Sequence, residues 1–278
     1  MAVRPPDWLI YLGVVAILIG AAVLGQRGGG RPARRPAAAS VSPKANPAPP
    51  PVSAFDSTIT VDVPAVSGPG EGTAFSVSSG GVWLTARHVV EGCRRTVIVV
   101  GPGQGVSVEV RIDPRGETAV LITQGGAPAL PMAPRDSLRP GMMGFAAGFP
   151  HGRPGEVASR LVRTETLVLR GRRIRREAVL DWAETDDEGP VPRSLAGLSG
   201  APVLDTEGRV IGVTIAQSRR HARLYTTRPA ALRTALDRAH IEPATGAEAA
   251  PMSSGSYGFI SASLRRELRI VPVVCLAN

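Results

Sequence analysis

Aromatic residues are scarce, at 4% of 278 residues. Any core must therefore be built mainly from Val, Leu, Ile and Ala. Lysine is nearly absent, Lys44 being the only one, so the formal charge of +9 is carried almost entirely by arginine. Those arginines are spread along the chain alongside abundant Ala, Gly and Pro, which reads as a composition bias. A phosphate-tracking surface needs a patch clustered on one face, so no nucleic-acid partner is expected. The densest group, Arg170, Arg172, Arg173, Arg175 and Arg176, alternates with Gly171 and Ile174 as a solvent-facing hairpin would. There are only two cysteines, Cys93 and Cys275, and no second pair or suitably spaced histidine accompanies them. A cysteine-based metal site is thereby excluded, and no metal or other cofactor is expected. The two thiols either form one disulfide, which fits an oxidising compartment, or stay free and buried. No internal repeat at a solenoid period is present.

One uncharged and strongly apolar run stands at the start. Trp8–Gly25 has 18 residues without a charge. As a helix it would extend about 27 Å, near the hydrocarbon thickness of a bilayer. Residues 1–25 therefore read as a membrane anchor, with a cleaved signal peptide as the alternative. Arg4 precedes the run while Arg27, Arg31, Arg34 and Arg35 follow it. By charge alone, the C-terminal side would stay in the cytoplasm. Residues 26–54, rich in Pro, Ala and Gly, form an extended disordered linker with too little apolar content to pack.

From residue 55 onward, short apolar runs are punctuated by Gly, Pro and Asp. Expected strands are Thr58–Val63, Thr73–Val77, Val82–Thr85, Thr96–Val100, Val106–Ile112 and Ala119–Thr123. A second set comprises Met142–Ala147, Val157–Leu169, Ile174–Trp182, Pro202–Leu204, Val210–Ile215 and Arg223–Thr227. Such spacing predicts an all-β sandwich or barrel rather than alternating β and α units. Helical periodicity comes late, at Pro229–Ala239 and then at Ser261–Leu268.

Two motifs carry chemistry. Ser199 lies in Gly197-Leu198-Ser199-Gly200-Ala201-Pro202-Val203, ahead of the strand Val210–Ile215. A serine that takes part in acyl transfer needs a tight glycine-lined loop whose N–H groups turn towards a developing oxyanion. A bare Gly/Ser turn is the ordinary explanation of such a tetrapeptide, but the longer string is more specific. His88 follows the apolar strand Val82-Trp83-Leu84-Thr85-Ala86, where an imidazole would sit at a cleft edge. The other histidines, His151, His221 and His240, lie in polar or loop contexts.

VWLTARHVV resembles the histidine motif of trypsin-like (chymotrypsin-fold) serine peptidases, especially the bacterial periplasmic type. GLSGAPV is similar to their nucleophile motif, and GETAVLIT to the acidic motif between the two. GTAFSV, AAGFP at 146–150 and LYTTRPAALRTAL add to the likeness, which covers about residues 57–240 in the order His–acid–Ser. The resemblance implies two packed six-stranded antiparallel β-barrels, at about 55–135 and 136–227, with a C-terminal helix and a site in the cleft between them. It implies a serine endopeptidase of residues 55–240 acting on a protein or peptide substrate. Its catalytic residues would be His88, Glu117 and Ser199, with Gly197 and Ser199 N–H groups as the oxyanion hole. Ile215, Ala216 and Gln217 would line the primary pocket, with Arg223 where many relatives keep a small residue. The enzyme class and the cysteines point to export. The expectation is a single-pass inner-membrane protein with its catalytic domain in the periplasm.

One position departs from the family. Glu117 stands where the family places aspartate, and the extra methylene displaces the carboxylate by about 1 Å, which can cost roughly a hundredfold in rate. Asp113, four residues earlier, is the alternative acid. A catalytically inactive homologue using its cleft as a peptide-binding module is therefore the competing reading. The 38 residues of 241–278 are too few for the peptide-binding domain that follows the protease in many relatives. Within this extension, Arg269–Cys275 is read as an edge strand or a patch against the body.

Overall fold

Apolar runs interrupted by glycine form strands because the alternating side chains of a strand each bury against one face of a sheet. The computed structural model describes residues 58–62, 70–134, 138–170, 174–185, 196–218 and 221–276. The anchor and linker expected over 1–54 lie outside the described residues. No helix among the described residues is long and apolar enough to cross a membrane.

The strands are β1 (Thr58–Asp62), β2 (Gly70–Ser78), β3 (Val82–Ala86), β4 (Arg95–Gly101), β5 (Gln104–Ser107), β6 (Glu109–Ile112) and β7 (Thr118–Ile122). They continue with β8 (Met143–Gly148), β9 (Gly155–Arg170), β10 (Ile174–Glu184), β11 (Pro202–Leu204), β12 (Val210–Ser218), β13 (Arg223–Thr227) and β14 (Ile270–Leu276). Among the described residues the α-helical segments are a single turn α1 (Arg87–Val90), α2 (Pro229–Arg238) and α3 (Tyr257–Arg266).

The strands form two sheets. The first runs β5-β4-β14-β2-β3-β7-β6. In the second, β8, β9, β10, β13, β12 and β11 close on themselves as a six-stranded barrel, because β8 pairs with both β11 and β9. All six strands send side chains into one apolar cluster that includes Ala146, Leu161, Leu180, Trp182, Val203, Ile211 and Leu224. Trp182 is fully buried there, and its indole N–H donates to Thr226 Oγ1 at 2.9 Å. With so few aromatics, truncating it to Ala would cost about 3–5 kcal/mol. A larger cluster, containing Phe75, Leu84, Ile98, Leu121, Val271 and Val273, fills the first sheet and runs beneath α2 and α3.

Three features depart from the expectation of two six-stranded antiparallel barrels ending in a helix. First, β1 does not join the first sheet; it pairs in parallel with the far end of β9, from Thr58↔Thr166 to Asp62↔Arg170. Second, the expected strand 106–112 is two strands, broken at Val108. Third, the chain does not end at α2. β14 inserts between β2 and β4, in the interior of the sheet and not at its edge, with Ile270, Val271 and Val273 fully buried. Proline signals an edge because it cannot donate to a ladder. Pro272 lies one residue before the stretch that pairs with β4, which starts at Val273, so the interior position is tolerated. Cys275 is joined to Cys93 in a disulfide, with a Cα–Cα distance of 5.4 Å. That bond ties the last strand to the chain just beyond α1.

Candidate active site

β3 is held between β2 and β7, and it ends in Ala86, from which α1 turns away carrying His88. The Arg87 N–H donates to the Glu117 carbonyl at 2.9 Å, fixing the histidine turn against the start of β7. From there, Glu117 Oε2 lies 3.3 Å from His88 Nδ1. The imidazole is 23% exposed and the glutamate only 1%. A buried carboxylate costs several kcal/mol unless paired. Arg175 of β10 supplies the pairing, donating to Glu117 Oε1 from Nε at 3.0 Å and from Nη2 at 2.6 Å. The Glu117 N–H in turn donates to Glu177 Oε2 at 2.6 Å. Burial, first of all, pushes the Glu177 carboxyl up to about 8, with the neighbouring Glu117 charge adding to the effect. Asp113 is occupied elsewhere: its carboxylate accepts the Arg115 N–H at 3.0 Å and pairs with Arg238 of α2.

One arginine of the cluster departs from the solvent-facing hairpin its alternation suggests, while Arg170 and Arg176 are exposed and residues 172–173 lie outside the described residues. Arg175 is 15% exposed and turned inward onto two glutamates, Glu117 and, at 3.5 Å, Glu91. The period-two spacing of Arg175 and Glu177 puts both on one face of β10. That spacing was the available signal, but it does not name the partner.

The serine loop is set by three anchors. Leu198 is fully buried in the closed barrel's core. The Ala201 N–H closes the turn onto the Leu198 carbonyl at 2.9 Å, and the Gly200 N–H donates to the Thr214 carbonyl at 2.8 Å. Thr73 of β2 reaches across from the first sheet: its N–H donates to the Ser199 carbonyl at 2.8 Å and its hydroxyl to the Gly197 carbonyl at 2.9 Å. The Phe149 N–H donates to the same hydroxyl at 3.1 Å.

Two glycines are required in this loop. Gly197 has φ +94°, and a Cβ there would lie 2.5 Å from the Phe149 carbonyl oxygen. Gly200 has φ +88°, and a Cβ would lie 2.0 Å from the Thr73 carbonyl oxygen and 3.1 Å from Ala86 N. The loop therefore packs directly against the strand end that launches His88. The Ala196 carbonyl accepts the His151 N–H at 2.6 Å. Because a trans peptide is planar, the Gly197 N–H points the opposite way, away from Phe149 and His151. The loop that carries Ser199 thus packs against the strand end that launches a histidine backed by a buried carboxylate.

The expected pocket residues lie together on β12 and β13. Ile215 is 4% exposed at a register break between Thr214 and Ala216, and Ala216 stands opposite Tyr225. Gln217 Nε2 donates to Glu184 Oε1 at 3.1 Å. Arg223 pairs with the buried Asp181 at 3.4 Å, and Arg163 approaches the same carboxylate at 3.7 Å. Burial raises the Asp181 carboxyl. Burial and the nearby Asp181 and Glu165 charges push the Tyr225 phenol up to about 12. Residues 186–195, which follow β10, and 219–220, which connect β12 to β13, lie outside the described residues. Among the described residues, no cluster of His, Cys, Asp and Glu could hold a metal ion.

Residues 72–213, more than half of the chain, match the profile of the trypsin-like peptidase domain. The chain belongs to this family. Relatives of the trypsin-like domain include serine protease HhoA of Synechocystis sp., 29% identical over 53% of this chain and 37% of that protein. A DegP-like protein of Halomonas elongata, named as a periplasmic serine endoprotease, is 27% identical over 51% of this chain and 28% of its own length. The chain thus spans about a third of the length of these relatives. Among solved structures, the active form of the Rv3671c protease of M. tuberculosis superposes with a TM-score of 0.52 at 21% identity, covering 66% of this chain and 79% of that one. At that identity the likeness establishes the fold. The mostly β, two-sheet architecture is that of a trypsin-like double barrel.

Proposed function

We propose that this trypsin-like domain is a serine endopeptidase using His88, Glu117 and Ser199. The observation that carries the reading is the contact between His88 Nδ1 and the buried Glu117, on the rim against which the Gly197–Gly200 loop packs. In this reading, Ser199 Oγ attacks the scissile carbonyl as His88 Nε2 takes its proton. The oxyanion so formed is held by the Gly197 and Ser199 N–H groups. Glu117 stabilises the imidazolium, which passes its proton to the departing amine and leaves an acyl-serine. Water, deprotonated by His88, then releases the acid and restores the serine. A carboxylate facing Nδ1 fixes the tautomer that leaves Nε2 free to accept.

Ile215, Ala216, Gln217 and Arg223 would line the primary pocket, where Asp181 matches the charge of Arg223. The substrate is a protein or peptide. The uncharged run Trp8–Gly25 supports an inner-membrane anchor, and the periplasmic naming of the Halomonas relative supports a periplasmic domain. One observation favours the second reading, a peptide-binding homologue without activity. Glu117 shares its carboxylate with Arg175, and its 3.3 Å separation from His88 is long for a charge-assisted hydrogen bond.

The test is labelling of the full chain with a fluorophosphonate, followed by mass spectrometry of the adduct. Labelling at Ser199 that is lost in His88→Ala supports the peptidase. Folded protein without labelling supports the peptide-binding reading.

A further inference from the structure

Glutamate at the acid position has one more rotatable bond than aspartate, so something must hold its carboxylate if one oxygen is to face the histidine. The buried Glu117 is restrained from two directions, and both restraints come from β10 of the other sheet. Arg175 places two N–H groups on Oε1, leaving Oε2 towards His88. Glu177, two residues along, accepts the Glu117 backbone N–H at 2.6 Å. Arg175 is itself fixed, since it is mostly buried and also contacts Glu91, the residue that binds Arg87 beside His88 at 2.6 Å.

Resting on the peptidase reading above, we propose that Arg175 is a positioning residue for the triad acid: by clamping Oε1 it orients Glu117 so that Oε2 meets His88 Nδ1. The closed barrel thereby sets the geometry of an acid borne by the first sheet. The Arg175 guanidinium bonds Glu117 and Glu91, so in this proposal its effect runs through Glu117 to His88. A planar guanidinium places two N–H groups at fixed angles on that one oxygen, whereas an ammonium makes a single point contact.

The experiment compares the full wild-type chain with Arg175→Met and Arg175→Lys, reading the saturating rate and half-saturation concentration of Ser199 labelling by a small fluorophosphonate, with thermal midpoint as the folding control. Arg175→Met should lower the saturating rate by about a hundredfold, as expected for misplacement of a catalytic group by about 1 Å, with the half-saturation concentration unchanged. Arg175→Lys should recover part of that loss and remain about tenfold below wild type. Folded Arg175→Met labelling at the wild-type rate would overturn the inference and leave the peptidase reading intact. So would a loss seen only in half-saturation concentration. If Arg175→Met does not fold, Arg175→Lys decides, and a wild-type saturating rate in it overturns the inference. Folded wild-type protein that does not label at Ser199 overturns the peptidase reading instead, and with it the premise.

Discussion

Thr73 and Ser199 are joined across the two sheets: the Thr73 N–H donates to the Ser199 carbonyl at 2.8 Å, and its hydroxyl holds the Gly197 carbonyl two residues earlier. Thr73 is fully buried, so its hydroxyl bonds lie away from competing water. Thr73→Val conserves the shape but leaves the Phe149 N–H and the Gly197 carbonyl without this partner. The expected cost is about 1–3 kcal/mol in unfolding free energy, together with slower labelling of Ser199. Denaturant unfolding and labelling rates of the same sample would check both. Unchanged labelling would show that the loop holds its shape without the hydroxyl.

Glu117 and Asp113 should respond differently to substitution. Glu117→Asp shortens a side chain that spans His88 and Arg175, so it can no longer reach both, and labelling should slow by about tenfold or more. Asp113→Asn removes the charge facing Arg238 and leaves the His88–Glu117 contact in place, so labelling should persist while stability falls slightly. If Asp113→Asn alone abolishes labelling, Asp113 and not Glu117 is the acid.

Glu177 makes stability depend on pH. Its carboxyl ionises at about 8 in the folded protein against 4.5 when unperturbed, chiefly because it is buried. Between those values the folded chain binds the extra proton and the unfolded chain has lost it. The contribution of Glu177 is therefore fully present below about 4.5, declines as pH rises, and is gone above about 8. Glu177→Gln keeps an acceptor for the Glu117 N–H and removes the titration. Relative to wild type, this variant should gain thermal stability progressively from pH 5 to pH 8 (roughly the window set by the two ionisations). A difference that does not vary with pH would show that Glu177 ionises normally.

The Cys93–Cys275 bond joins residues 182 positions apart in sequence and pins β14 inside the first sheet. Replacing both cysteines by serine should lower the unfolding free energy by about 2–5 kcal/mol. Comparing oxidised and reduced wild type by denaturant unfolding should give a loss of the same sign. Equal stability in the two states would mean that β14 is held by its ladder and its buried valines alone.

Much of the architecture was legible because it is local. Alternating apolar residues, glycine turns and the proline at the start of α2 specify elements whatever they later pack against, and most strands fall within a residue or two of where the pattern puts them. The motifs around His88 and Ser199 are equally local, since a serine loop needs its glycines and a cleft histidine needs a strand to deliver it. The split of β5 from β6 at Val108 was missed because the apolar run continues through the break.

Partner choice was not legible. By itself the sequence determined strand content, the family, and the residue types at the site, since these follow from short-range periodicity and backbone sterics. Only the tertiary structure decided that β1 joins the second sheet, that β14 lies inside the first, and that Glu117 rather than Asp113 faces His88. It also decided that Arg175, from a segment that reads as exposed, lies buried against Glu117. Each of these is a pairing across a long stretch of chain. Its energy comes from ladder bonds, burial and charge compensation that exist only once the two segments have met.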